Sequence, residues 1–309
     1  MTAPGSISSR STPLAGIACV SGGILLLTLS DALAKWVGQF YSPVQLLFLR
    51  AAIALPFVLA LVAALGGRRA LRTRHLGLHL LRGAINVVAA TCFYLGLQAL
   101  PLAETTAIGF AAPLFVTALS VLVLKERVDG ARWLAVAAGF VGVLVIVQPG
   151  AASFQPAALY PLATAVLYAL MMLTARAIGQ AESVFTTMFY IVVGQLVCSA
   201  VAVPMFWTPP RFEHWPHFAG IALFSTVGLT LITQGFRIGP ASVVAPFDYA
   251  GLLWASLLGW LVWRDAPGLN DCLGALFIVG SGLYIAWREA RSSAARRAGR
   301  LSRPPASAR

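Results

Sequence analysis

Charged residues are scarce in this sequence. Only 10% of its 309 residues are Asp, Glu, Lys or Arg, whereas a soluble globular domain carries about 25%. Hydrophobic residues make up 59% of the chain, and apolar runs of helical length follow one another along almost all of it. A soluble fold has too little interior to bury so much apolar surface. The composition therefore predicts an all-α polytopic membrane protein.

Acidic residues are the rarer charge, with 10 Asp and Glu against 22 Lys and Arg, which gives a net charge of +12. Most basic residues lie in short segments between apolar runs and in the tail from Arg288 to Arg309. This placement is typical of loops that orient membrane spans, so we do not expect nucleic acid as a partner. The tail is expected to be solvated, with contact to anionic membrane lipids left open.

Residues that carry chemistry in enzymes are also missing or isolated. The four cysteines stand alone without a C-x-x-C pair, and the four histidines bring no further metal ligands with them. There is no Walker loop, no G-x-S-x-G and no H-E-x-x-H. We therefore expect no metal, no cofactor and no enzyme activity, and an ATP-driven pump is not indicated.

Proline, glycine and charged residues divide the chain into ten candidate spans. Each has about 19–23 residues, enough to cross a hydrocarbon core of about 30 Å. The first run, from Leu14 to Leu29, is longer than the core of an ordinary signal peptide, so we expect an uncleaved first span. The spans are predicted near 14–35, 43–65, 76–98, 103–124, 130–148, 157–178, 184–205, 216–237, 243–263 and 269–287.

The basic residues also predict an orientation. A cytoplasmic N-terminus places nearly all loop Lys and Arg residues inside, and it leaves only Lys35, Arg211 and Arg264 at the outer side. The positive-inside rule then predicts a bacterial inner-membrane protein with both termini in the cytoplasm. The inner set comprises Arg10, Arg68, Arg69, Arg72, Arg74, Lys125, Arg127, Arg132, Arg176, Arg237 and the basic residues of the tail.

One stretch of the sequence returns later in the chain. The segment from Tyr94 to Glu126 is echoed by the segment from Gln234 to Asp265, with proline, glycine and charged positions in the same order. Because each half holds five spans, the second copy must lie in the opposite orientation, as in the inverted repeats of secondary transporters. The predicted domains are a tail at 1–13, five-helix repeats at 14–150 and 151–287, and a basic tail at 288–309. Matching positions include Gly96 with Gly235, Pro101 with Pro240, Leu114 with Leu253, Thr117 with Ser256, and Lys35 with Arg176.

The paired ends of the two halves resemble a known family. Residues Ala99 to Gly150, beginning ALPLAETTAIGFAAP, and their degenerate echo from Gly239 to Ile285 are similar to the ten-helix EamA-type members of the drug/metabolite transporter superfamily. The resemblance implies two five-helix bundles around a central cavity that opens alternately to each side, with one half rocking against the other. It also implies a small-molecule substrate, an amino acid or related compound that is exported, or alternatively a vitamin such as riboflavin that is imported.

Polar residues inside spans are few, and each is a candidate for function. Asp31 and Lys35 are one turn apart and are predicted to pair. Asp31, Arg50 and Glu104 are predicted to lie at similar depth near the outer side, where Arg50 would pair with a carboxylate. A gate formed by Arg50 and Glu104 there would be mirrored by Asp248 and Arg237 near the inner side, and structural neutralisation of the buried charges is the alternative role. The predicted substrate pathway comprises Asn86, Tyr94, Glu104, Tyr168, Gln195 and Asp248, and the predicted gate or ion-pair residues are Asp31, Lys35, Arg50, Arg82 and Arg237.

Several alternatives stay open at the level of sequence. Arg82 has the length to snorkel to the headgroups, and aromatic residues such as Tyr168 fit either packing or a planar ligand. A membrane-embedded enzyme acting on lipid is the alternative of another class, although its polar residues would cluster at one interface. Proton coupling and facilitated exchange are both compatible with these residues, as are a monomer and a homodimer.

Overall fold

The computed structural model describes residues 13–66, 73, 75–123, 125, 128–178 and 184–301, which form a bundle of helices without a strand in these ranges. Ten helical stretches in them are long and apolar enough to cross a membrane, which confirms the all-α polytopic prediction. The helices are α1 (Pro13–Val37), α2 (Pro43–Leu61), α3 (Leu76–Ala99), α4 (Leu102–Gly109), α5 (Ala112–Val123), α6 (Gly130–Val147), α7 (Leu159–Ile178), α8 (Val184–Ala202), α9 (Trp215–Ile238), α10 (Ala241–Val244), α11 (Ala250–Leu258) and α12 (Leu269–Leu301).

The ten spans contain twelve helices because two spans are interrupted. The fourth span breaks at Phe110 between α4 and α5, just before Pro113. The ninth span passes from α10 through a 3-10 turn, Ala245–Tyr249, into α11, and this turn contains Pro246. A proline ring clashes with the carbonyl four residues earlier and lacks the N–H that continues the helix. Pro56, for which the same chemistry predicts an interruption, instead lies inside an unbroken α2.

Helices from opposite ends of the chain pack together through glycine. A Cβ built on Gly23 of α1 would lie 2.7 Å from the carbonyl oxygen of Gly228 on α9. On the other side of the bundle, the Thr164 hydroxyl of α7 donates to the Ala89 carbonyl of α3 at 3.0 Å. Small residues allow such close contact between membrane helices. The first five spans and the last five are therefore interlocked, since α1 pairs with α9 and α3 with α7.

The two ends of the bundle carry different polar groups. One end of the bundle, called here the Lys35 end, contains the last turns of α1 and α3 and the first turns of α2, α4, α9 and α12. At the opposite end, Asp129 precedes α6 and accepts hydrogen bonds from the backbone N–H of Arg132, at 3.0 Å, and from Arg288 of α12, at 2.8 Å. The predicted inner-loop charges Arg68, Arg69, Arg72, Arg74, Glu126 and Arg127 lie outside the described residues.

Candidate functional site

A constellation of two opposite charges and a phenol lies between α1, α2 and α3. The Arg50 guanidinium donates a hydrogen bond to the Tyr94 hydroxyl oxygen at 3.3 Å. The carboxylate of Asp31 is within electrostatic range of both Arg50 and Tyr94. Tyr94 is 3% exposed, whereas Asp31 and Arg50 are half-buried. The structure thus brings together three of the predicted residues at one level of the bundle.

Lys35 does not pair with Asp31, so that prediction is wrong. Its ammonium donates hydrogen bonds to the carbonyl oxygens of Leu97, at 2.7 Å, and Leu100, both at the end of α3. It also lies 5.5 Å from the centre of the Trp263 ring. The last carbonyls of a helix have no partner within the helix and carry its negative dipole end, which makes them good ligands for a cation. Lys35 is therefore a cap on α3, contributed by α1.

Glu104 does not pair with Arg50 either. It is half-buried in the first turn of α4 and lies within electrostatic range of Lys35 and Asp271. Arg50 lies seven residues, or about 10 Å, after Pro43, the first residue of α2. Glu104, in contrast, lies in the first turn of α4. The difference in depth separates the two charges. Among the described residues neither of them has an ion-pair partner within 4.0 Å.

The middle of the bundle holds an aromatic cluster beside Asp248. The rings of Phe110 and Tyr249, one from each interrupted span, lie 5.0 Å apart. Asp248 is within electrostatic range of the hydroxyls of Tyr168 and Tyr249. Its Oδ1 atom is buried without a hydrogen-bond partner. A buried carboxylate oxygen without a partner is costly, and it favours a ligand that supplies a donor or a cation.

The predicted pair of Asp248 and Arg237 is also wrong. Arg237 is exposed in the last turn of α9, and the described residues hold no ion pair between it and a carboxylate within 4.0 Å. Asp248 belongs to the turn after α10 and lies further into the bundle. A cation in the last turn of a helix is stabilised by the helix dipole without a carboxylate.

Two further predicted pathway residues join helices. The side-chain amide of Gln195 on α8 donates to the Leu47 carbonyl of α2 at 2.9 Å and accepts from Asn86 of α3 at 3.3 Å. Gln195 is 5% exposed. Arg82 is 4% exposed, so it lies inside the bundle and does not snorkel. The structure thus gives Gln195 and Asn86 a bridging position, and their role in the pathway stays a prediction.

Polar residues outside the predicted set tie the loops together at the Lys35 end. The amide of Gln45 exchanges two hydrogen bonds with the backbone of Thr208, at 2.6 and 2.9 Å. The hydroxyl of Tyr41 is 2.8 Å from Nδ1 of His214. Gln98 donates to the Gly38 carbonyl at 2.8 Å. The sequence offers one signal for these contacts, because Gln45 and Gln98 are amides in otherwise apolar runs.

An apolar groove of about 280 Å³ lies on the side of the bundle, between α1, α9 and the end of the ninth span. Its walls include Leu29, Trp36, Phe224 and Trp263, and neither Asp31 nor Asp248 is among them. Grooves of this composition suit lipid chains, so we place the polar site inside the bundle and not in this groove.

Comparison with known proteins gives the same family along almost the whole chain. The sequence model of the EamA-like transporter family matches residues 14–148 and again 155–287. The S-adenosylmethionine uptake transporter of Rickettsia prowazekii is 27% identical over 91% of this chain and 95% of its own length. The riboflavin transporter of Vibrio cholerae is 30% identical over 93% and 98%, respectively.

A third relative is named as an exporter. The pseudopaline exporter CntI of Pseudomonas aeruginosa is 26% identical over 84% of this chain and 94% of its own length. A solved structure with 20% identity superposes with a TM-score of 0.62 over 91% of this chain and 99% of its own, which supports the fold. The names of these three relatives thus give three different molecules, and the two names that state a direction give opposite ones.

Proposed function

The chain belongs to the EamA-like transporter family of the drug/metabolite transporter superfamily, and on this basis we propose that it is a secondary transporter that works by alternating access. Membership and the named relatives make it a membrane-embedded small-molecule transporter and not an enzyme. More specifically, we propose that the protein alternates between two open states and that the substrate moves either at the expense of a gradient or down its own gradient. We also propose that it lies in a bacterial inner membrane with both termini in the cytoplasm, which the distribution of Lys and Arg supports.

An inverted repeat is part of the proposal. The same number of residues separates Pro101 from Pro240 and Phe110 from Tyr249. Phe110 and Tyr249 both lie at the break of an interrupted span, and their rings contact each other. Interrupted helices at corresponding positions of two inverted halves are typical of transporter binding sites near the middle of the membrane. This contact is the observation that carries the proposed function.

The Lys35 cap is the proposed gate at one end. The cap joins α1 to the last turn of α3, so opening this end requires the Lys35 ammonium to leave the Leu97 and Leu100 carbonyls. In the repeat, Lys35 corresponds to Arg176, at the other end of the bundle. The side chain of Arg176 lies outside the described residues.

The packing favours movement of helix pairs drawn from both halves. If the first five spans moved as a rigid body, α1 would have to separate from α9 along the Gly23–Gly228 contact. Movement of the pair α1 and α9 relative to the pair α3 and α7 keeps both tight interfaces. It also opens the Lys35 end, because the cap crosses from α1 to α3.

Export of an amino acid or a related metabolite is the first candidate for the transported reaction. Import of a compound with a planar ring is the second, since one relative is named as an uptake transporter of S-adenosylmethionine and another as a transporter of riboflavin. The contact between the rings of Phe110 and Tyr249 favours the second candidate, since aromatic side chains stack on planar ligands. Proton coupling is proposed only for Asp248, whose carboxylate has an unpartnered oxygen.

Metabolite profiling of cells and medium tests substrate and direction together. Cells expressing the wild-type chain, Asp248→Asn, the control Glu213→Gln or no transporter are compared. Glu213 is an exposed carboxylate, so its loss is expected to change nothing. A compound that moves between cells and medium with wild type and the control, but several-fold less with Asp248→Asn, is the expected result. Equal redistribution by all three proteins would remove Asp248 from the pathway.

A further inference from the structure

We propose that the apolar groove between α1, α9 and the end of the ninth span binds one phospholipid of the leaflet at the Lys35 end. The acyl chain fills the groove, and an oxygen of the phosphoglycerol group accepts a hydrogen bond from His217 at the mouth. The proposal goes beyond transport, because it concerns a partner that is not carried and a site outside the polar interior of the bundle.

The first argument is the direction and length of the groove. Trp36 of α1 and His217 of α9 line it at the Lys35 end. Leu29 and Phe224 line it seven positions further along the same two helices, or about 10 Å deeper. One leaflet of the hydrocarbon core is about 15 Å thick. The groove therefore runs along the path of an acyl chain and ends before the middle of the membrane.

The second argument is that the mouth of the groove lies at the level of the lipid head groups. Trp207, Trp215 and Trp260 are exposed at the same end, and exposed tryptophans mark the interface between membrane and water. Arg264 is exposed directly after Trp263, and its guanidinium lies 5.5 Å from the centre of the Trp260 ring. A cation at this level is a partner for a phosphate, which an uncharged hydrocarbon does not offer.

The third argument is an unsatisfied polar atom in the wall of the groove. The Nδ1 atom of His217 is buried and has no hydrogen-bond partner within the described part of the chain. Its ring is held in place by stacking on Trp36, with ring centres 4.4 Å apart. A buried polar atom without a partner is costly. A lipid oxygen satisfies it in the tautomer that carries the proton on Nδ1, whereas a plain hydrocarbon leaves it unpaired.

The groove is also preformed, because its two main helices contact each other beside it. A Cβ built on Gly220 of α9 would lie 2.8 Å from Cδ1 of Leu33, which lines the groove from α1. The stack of His217 on Trp36 joins the same two helices. A ligand that enters a preformed site pays little for ordering the protein, so these contacts favour binding.

Binding in the groove is expected to support the Lys35 cap. Trp263 lines the groove and lies 5.5 Å from the Lys35 ammonium. An acyl chain in the groove therefore packs against the ring that covers the cap. A ligand that fits one arrangement better than another shifts the population toward it. The bound phospholipid thus favours the arrangement in which the cap is made.

Photolabelling in vesicles tests the proposal. The purified full chain is reconstituted in phosphatidylethanolamine and phosphatidylglycerol, together with a phosphatidylethanolamine that carries a diazirine in its acyl chain. Labelled residues are identified by mass spectrometry at increasing fractions of this probe. Labelling of a site saturates, whereas labelling by ordinary boundary lipid rises in proportion to the probe.

Two variants and a matched control locate the site. Val262→Trp fills the groove from an exposed position, and Leu261→Trp adds the same bulk to the neighbouring exposed residue, which is not part of the wall. His217→Phe keeps a ring that stacks on Trp36 and removes the Nδ1 atom. Thermal unfolding in detergent verifies that each protein is folded.

We expect saturable labelling of Leu29, Leu33 and Phe224 in wild type and in Leu261→Trp. His217→Phe should need about three- to tenfold more probe for half-saturation, because one hydrogen bond to the lipid is lost. Val262→Trp should reduce labelling of the groove to the proportional level.

Three outcomes would overturn the proposal. Labelling of the wild-type groove in proportion to the probe would show ordinary boundary lipid only, and this result needs no variant. Saturable labelling that is unchanged in folded Val262→Trp and His217→Phe proteins would place the lipid elsewhere. An unlabelled groove in a protein that forms dimers through this face would assign it to a second copy. Binding alone is measured, so each result is independent of the proposed transport function.

Discussion

Lys35 shows how an isolated cation is accommodated inside a membrane protein. It is 9% exposed, and its ammonium is satisfied by two backbone carbonyls and the face of Trp263. The sequence places Lys35 one helical turn from Asp31, and local spacing favours that pair. The structure favours the end of a neighbouring helix, which spacing within one helix cannot reveal.

Removal of this cap should destabilise the protein. Lys35→Met leaves the Leu97 and Leu100 carbonyls without their charged donor, so we expect a loss of about 1–3 kcal/mol in the free energy of unfolding. The same substitution at Lys125, which is exposed, is the matched control. Tryptophan fluorescence during thermal unfolding in detergent measures both. Equal unfolding midpoints for the two variants would contradict the capping role.

The partners in the other predicted pairs were equally difficult to predict from the sequence. Arg50, Glu104 and Asp248 are recognisable as unusual because each is a charge within an apolar run. Their partners depend on depth and on neighbouring helices, so both predicted pairs were wrong. The hydrogen bond from Gln195 to the Leu47 carbonyl could not be predicted either, because it joins residues that are far apart in the chain.

Helix elements were more predictable than side-chain partners. All ten predicted spans are present within a few residues of the observed bounds, since span length is set by membrane thickness and the ends by polar and proline residues. The two interruptions could not be distinguished from other prolines. Pro113 and Pro246 lie at breaks, whereas Pro161 occupies the first turn of α7, where its missing N–H is tolerated.

The crossing of α3 and α8 depends on two glycines. A Cβ on Gly83 would lie 2.7 Å from the Gly194 Cα atom, which is backbone and has little freedom to shift. Gly83→Val should therefore force the helices apart and cost roughly 1–3 kcal/mol or more. Gly77→Val, on the same helix, is the control, because a Cβ built at Gly77 has nothing within 4 Å. If both variants unfold at the wild-type temperature, the close crossing is refuted.

The link between α6 and α12 should depend on pH. The backbone N–H of Arg132 and then the Arg288 guanidinium hold the pKa of Asp129 below its usual range. A lowered folded-state pKa means that the contribution to stability is present above the unfolded value, about 4, and is lost as pH falls through the folded value. Asp129→Asn should thus lower the unfolding midpoint at pH 7, and the difference from wild type should vanish at low pH. A difference that is independent of pH would contradict this account.

The fold class and the family follow from composition, spacing and the repeated segment. The arrangement of the halves does not. The sequence suggests one half rocking against the other, but the glycine contacts pair α1 with α9, and a hydrogen bond joins α3 to α7. Packing between distant segments creates this interlock, and no local pattern in the chain encodes it.

Transport is expected to require the Lys35 end to open between α1 and α3. A Cβ at Gly38 would lie 3.0 Å from Cγ of Gln98, close enough for a disulfide between cysteines at these positions. The double variant Gly38→Cys/Gln98→Cys, in a chain whose four native cysteines are replaced, is reconstituted with the two single variants as controls. Mass spectrometry verifies the bond, and counterflow is measured before and after reduction.

We predict that oxidation reduces counterflow by the double variant to the level of empty vesicles and that a reductant restores it, while both single variants are unaffected by either treatment. Counterflow at the reduced rate by fully cross-linked protein would contradict the account, because substrate would then pass without separation of α1 from α3.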